Sequence, residues 1–167
     1  MKKAVWSGIF AAAALFFLTT SAYAQATATG TIGVTATINA RAKLTLGAAS
    51  IAFADADPDV TPTLTSSAIS MAVKARTSAA GNVTLTVVAD QDLTSGTDTI
   101  AIGQLTWAAS GTGFTATGTS NKTTAQTIGS WTGSTNEAGS HTYSLPNSWT
   151  YVTGSYTATL TYTLTAP

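Results

Sequence analysis

The chain has 167 residues, no cysteine, one histidine, and seven basic against seven acidic side chains. A disulfide framework is excluded, and so few Lys and Arg, scattered along the chain, are not expected to make the clustered cationic face that displaces counterions from nucleic acid. Charge is replaced by Thr, Ser, Ala and Gly, with periodic Ile, Leu, Val and aromatic residues that a flexible stalk would lack.

In chain order, Lys2 and Lys3 precede an apolar run from Ile9 to Leu18, too short for a stable bilayer anchor and typical of an export signal. Small residues at Ala22 and Ala24 place cleavage after Ala24, so 1–24 reads as a signal peptide and the mature chain begins at Gln25. That leaves 143 residues, enough for one domain with a core, and no later segment long and apolar enough to span a membrane. The product is expected to leave the cytoplasm for the cell surface or medium. Beyond the cleavage point five cations (Arg41, Lys43, Lys74, Arg76, Lys122) face seven carboxylates (Asp55, Asp57, Asp59, Asp90, Asp92, Asp98, Glu137).

Thr accounts for 33 residues after Ala24; its branched Cβ suits a pleated surface, and its hydroxyl keeps one face wet without charge. Period two recurs and no helical period does. From Ala26 to Leu46 an alternating ribbon would reach about 70 Å if extended, several strand lengths. It is either one strand that bends at Gly30, Gly33 or Asn39-Ala40, or two: a detachable segment near Ala26–Ala36, then the domain's first strand from about Thr37 to Leu46. A detached segment bearing Ile32 and Val34 would need a neighbouring molecule's sheet edge to cover it.

Ile69, Met71, Val73 and Ala75 alternate with polar or small residues, and Val83, Leu85 and Val87 repeat the pattern after the Ala80-Gly81-Asn82 turn. Further strands are predicted around Ile100 and Ile102, Leu105 and Trp107, Phe114 and Ala116, Ile128, Tyr143 and Leu145, and Trp149 and Tyr151. Turns are predicted at Ser95-Gly96, Ser110-Gly111, Gly118–Asn121, Gly133–Asn136, Pro146-Asn147 and Thr153–Ser155. The most regular strand is the last: Tyr156, Ala158, Leu160, Tyr162 and Leu164 on one face, Thr157, Thr159, Thr161, Thr163 and Thr165 on the other. Many short strands at this spacing predict an all-β sandwich in one domain.

Catalysis finds little material, because His141 is the sole His, Glu137 the sole Glu, and no thiol exists. His141, between Ser140 and Thr142, reads as a surface residue at a strand start. No phosphate loop and no His or Cys metal spacing occurs, so no cofactor is expected. Asp55, Asp57 and Asp59 alternate in ADADPDV; they read as a solvated turn bent by Pro58, with calcium as the alternative. Trp107, Trp131, Trp149, Tyr143 and Tyr151 are either core or a sugar-stacking platform. Asn82-Val83-Thr84 and Asn121-Lys122-Thr123 match glycosylation sequons, a weak signal.

The extension ATATGTIGV, the first strand VTATINARAKLTLG with the apolar-then-acidic SIAFADADP, and the closing GSYTATLTYTLTAP together resemble the bacterial chaperone-usher pilins, in particular the archaic group related to spore coat protein U domains. Unlike most of those subunits, this chain has no cysteine. The resemblance implies an immunoglobulin-like sandwich over 37–167 with an N-terminal donor segment over 25–36, polymerised by donor-strand complementation into a pilus-like filament of identical subunits. It also implies a periplasmic chaperone and an outer-membrane usher as partners. Ile32 and Val34, with Ala28, Gly30 and Ala36, would enter the next subunit's groove beside its C-terminal strand, edged by Tyr156, Leu160, Tyr162 and Leu164. The same C-terminal strand is similar to the ending of cell-wall-binding WxL domains, with Tyr162-Thr163-Leu164 at the triplet; that resemblance implies a secreted carbohydrate- or cell-wall-binding module instead.

Overall fold

The structure is a computed structural model that describes residues 25–167. The expected signal peptide over 1–24 lies outside the described residues. The chain divides into two units, Met1–Ala36 and Thr37–Pro167. In the first, Gln25–Ala36 forms no strand and is exposed throughout, with Ile32 and Val34 each 90% exposed.

The second unit is all-β. Its described strands are β1 (Arg41–Leu46), β2 (Thr63–Thr65), β3 (Ile69–Arg76), β4 (Asn82–Ala89), β5 (Leu93–Ser95), β6 (Asp98–Ile100), β7 (Thr106–Ser110), β8 (Thr117–Thr119), β9 (Gln126–Thr132), β10 (Thr135–Pro146) and β11 (Leu160–Thr165). One antiparallel sheet runs β1-β3-β10-β7-β8, with β2 also on β10; a second runs β11-β4-β9; β5 and β6 form a separate hairpin. The arrangement is consistent with a sandwich, because the inward faces of the two larger sheets contribute to a single buried cluster. Ile69, Met71, Val73 and Ala75 of β3 face Val83, Leu85, Val87 and Ala89 of β4, and Ile128, Trp131, Tyr143 and Leu145 complete the centre. The alternation expected of both strands is therefore what buries them.

Gly118 shows how tightly this core closes. It lies opposite Trp107 in the β7–β8 ladder, and a Cβ placed there would meet the indole ring. Gly118→Ala is expected to lower the unfolding free energy by about 1–3 kcal/mol, read by urea titration, because a well-packed core does not absorb an added methyl freely.

Several expectations are corrected. The first strand begins at Arg41, not Thr37. Ile102 sits in a 3-10 turn over Ile102–Gln104 instead of a strand. Gly118 and Thr119 belong to β8, so that turn is shorter than expected. The Gly133–Asn136 turn contracts to Gly133-Ser134, where Gly133 adopts a positive φ of 75° and the chain bends sharply from β9 in one sheet to β10 in the other. As a result β10 starts at Thr135, and His141 lies seventh in its twelve residues. His141 is not a surface residue; it is 0% exposed. Trp149 and Tyr151 lie in a loop, not a strand. The closing ladder covers Leu160–Thr165, while Thr157 makes an isolated bridge to Thr94 and Tyr156 lies outside the ladder. Among the described residues no helix is long and apolar enough to cross a membrane.

Candidate functional site at the open sheet margin

β1 ends one sheet and β11 ends the other, each hydrogen-bonded on one side alone. Their Cα atoms approach within 8 Å without forming a ladder. Register shows which side chains turn inward. Ala42, Leu44 and Leu46 pair with Ala75, Val73 and Met71, and Leu160, Tyr162 and Leu164 pair with Ala89, Val87 and Leu85. Paired residues share a sheet face. On β3 and β4 those residues are all buried. On the two edge strands they are not: Leu44, Leu160, Tyr162 and Leu164 are half-buried, Ala42 is exposed, and Leu46 is 36% exposed. The inward face of the domain is thus left partly uncovered along this margin, beside two strand edges whose backbone donors and acceptors have no ladder partner among the described residues.

Local bonds hold the margin in place. The Thr159 N–H donates to Asp90 Oδ1 at 2.8 Å, and the Asp90 N–H donates to the Thr159 carbonyl, fixing the entry to β11. The Thr159 amide holds the Asp90 carboxyl below its usual range. At the middle of β11 the Tyr162 hydroxyl lies 2.7 Å from that of Tyr143. Burial raises the pKa of both phenols, so both stay neutral and one hydroxyl donates its proton to the other. Tyr156 instead donates its hydroxyl proton to the Val152 carbonyl.

Of the expected acceptor residues, Leu160, Tyr162 and Leu164 share one face of β11, and Tyr156 stands apart from them. Ala28, Gly30, Ile32, Val34 and Ala36 are all exposed. Sequence reasoning missed the β1 half of the margin, Ala42, Leu44 and Leu46, although their alternation within RAKLTL was the available signal. Nothing local told β1 apart from an interior strand.

The other candidates separate. Trp107, Trp131 and Tyr143 are core and Tyr151 is half-buried, whereas Trp149 is 70% exposed and donates its indole N–H to Asp59 at 3.1 Å. These five aromatic residues form no common platform. Asp57 accepts the Asp59 amide within the acidic loop, and among the described residues no three His, Cys, Asp or Glu side chains gather as metal ligands would. No protein-family model matches the chain, and no curated protein matches it.

Proposed function

We propose that this protein is a structural subunit of an extracellular, pilus-like filament built from immunoglobulin-like sandwiches. Gln25–Ala36 of one copy adds as a strand to the free edge of β11 in the next, setting Ile32 and Val34 against Leu44, Leu160, Tyr162 and Leu164. The observation that carries the reading is the half-exposed inward face shared by β1 and β11, in a chain that also carries an alternating segment, Gln25–Ala36, forming no strand of its own. Period two makes the two complementary: alternate side chains enter the margin while every backbone group gains a ladder partner. Ala28, Gly30 and Ala36 are the small positions around the two anchors. An intervening strand occupies about 9–10 Å between its neighbours, so seating it moves β1 and β11 slightly apart where they are closest. Export by a signal peptide over 1–24, and a periplasmic chaperone and outer-membrane usher that shield the margin before assembly, belong to the same reading.

Deleting Gln25–Ala36 is expected to abolish filaments in electron micrographs of the purified protein and to leave a folded 37–167 domain by circular dichroism. Normal filaments from the deleted chain would refute donor-strand exchange. The exposed Trp149 favours a second reading, a carbohydrate-binding module. In that case polysaccharide pull-down is lost on Trp149→Ala while the deletion leaves it intact.

A further inference from the structure

The charges of the second unit are sorted to its two ends. Arg41 pairs with Arg76 and Lys43 with Lys74 across the first rungs of the β1–β3 ladder, on the outer face. Like charges placed directly opposite in a sheet repel. No carboxylate answers them: among the described residues the one ion pair is Lys122–Asp92, and Glu137 is the one carboxylate side chain at this end. Arg76 Nε donates to the Asn39 carbonyl at 3.0 Å, so the chain also enters β1 here.

Every Asp lies at the far end. Asn147, just past β10, donates to the Ala56 and Thr61 carbonyls and so anchors the loop carrying Asp55, Asp57 and Asp59. Asp90 and Asp92 follow β4, which runs away from the basic end, and Asp98 lies on the hairpin beyond them. The far end also exposes Trp149, Val60 and Val152. Some ten residues of β10 separate the two ends, roughly 30 Å, several Debye lengths at physiological salt.

We propose that the Arg41, Lys43, Lys74 and Arg76 face docks on the acidic Asp55–Asp59 loop and Trp149 of a second copy of this chain, setting a polar head-to-tail stack. The occupant is argued from complementarity, because the unmatched cations of one end meet their counterpart in the unmatched carboxylates of the other. A heterologous contact of this kind continues as an open filament instead of closing a ring. An exposed Trp beside carboxylates also suits Arg, which stacks on indole. The inference deepens the strand-exchange reading and rests on it for direction. β1 runs from the basic to the acidic end and β11 the opposite way, so a segment leaving one copy's basic end for the next copy's acidic end lies antiparallel to β11.

Ile32→Asp/Val34→Asp, which blocks seating of the segment, isolates the end-to-end contact. Sedimentation equilibrium of this chain is expected to show self-association that weakens on the order of tenfold between about 20 mM and about 300 mM salt. Adding Lys43→Glu/Lys74→Glu, or Asp57→Lys/Asp59→Lys, removes the association, and all four reversals together restore it; Lys43→Gln/Lys74→Gln serves where a reversal fails to fold. Association that is absent or indifferent to salt, or folded reversals that change nothing, overturns the proposal. So does polygalacturonate binding that is lost in Lys43→Glu/Lys74→Glu without any self-association, which would give the basic face to an anionic glycan. Salt-dependent association that persists while the unaltered chain forms no filament defeats strand exchange and leaves the end-to-end contact standing.

Discussion

Val34→Asp is expected to leave the folded domain untouched and to eliminate filaments. Val34 is 90% exposed, so the substitution removes no packing and should shift the unfolding free energy by less than about 0.5 kcal/mol. In the seated strand the same side chain would meet Leu44, Leu160, Tyr162 and Leu164, on the face opposite to that of the nearest cations, Arg41 and Lys43. An unpaired carboxylate in an apolar site costs several kcal/mol, and each ~1.4 kcal/mol is a tenfold change in the coupling constant. Coupling should therefore fall by at least about a hundredfold. Thr35→Asp is the control, since period two turns Thr35 outward when Val34 points in, and its effect should be small. Thermal unfolding of each purified variant gives the stability, and electron microscopy gives the filament yield. Equal loss from Thr35→Asp and Val34→Asp would mean that charge in the segment matters and its facing does not.

The second large effect concerns acid. His141 is fully buried between the Trp107 ring at 5.9 Å, stacked, and the Tyr143 ring at 5.9 Å, edge-on, with Tyr162 at 6.2 Å. Among the described residues neither ring nitrogen has a hydrogen-bond partner, and none of their carboxylates stands by to stabilise an imidazolium. Burial accordingly pushes its pKa down to about 4. The folded value lies below the unfolded one, so the unfolded chain binds a proton between about pH 6.5 and 4 that the native chain refuses. Stability is full above that window and is lost as pH falls through it, by about 2–3 kcal/mol at the lower limit. Tyr143 and Tyr162 remain neutral throughout the window and do not compensate. His141→Leu should remove this slope, and at neutral pH it should cost little or even stabilise, since it deletes two unsatisfied buried nitrogens. Urea unfolding of both chains across pH 4–7 measures the difference. Parallel pH profiles would show that His141 is solvated in the native state.

Two segments raise the same question of cover: among the described residues nothing lies over the apolar side chains of Gln25–Ala36, and β11 has a face half covered. Their match is one of period and chemistry, as both alternate apolar with Thr or another small residue. This explains why filament formation and free-subunit stability should respond to different substitutions. Under the proposed strand exchange, those in Gln25–Ala36 are expected to act on coupling, and those at Gly118 or His141 on the fold.

The linear chain determined the strand character of this protein and much of its core. Ile69–Ala75 and Val83–Val87 alternate so regularly that burial on one face was the only economical outcome for either strand. It also marked Ile32 and Val34 as apolar residues without an evident home. Tertiary structure decided what long-range pairing alone can decide. It set β1 and β11 at adjacent open edges, withdrew Tyr156 from the terminal ladder, and extended β10 through a tight glycine turn so that His141 became core. It also gathered Arg41 with Arg76 and Lys43 with Lys74, residues more than thirty positions apart, into one cationic face. Alternation reports which side of a strand is covered; which neighbour covers it, and where none does, depends on contacts between segments remote in the chain.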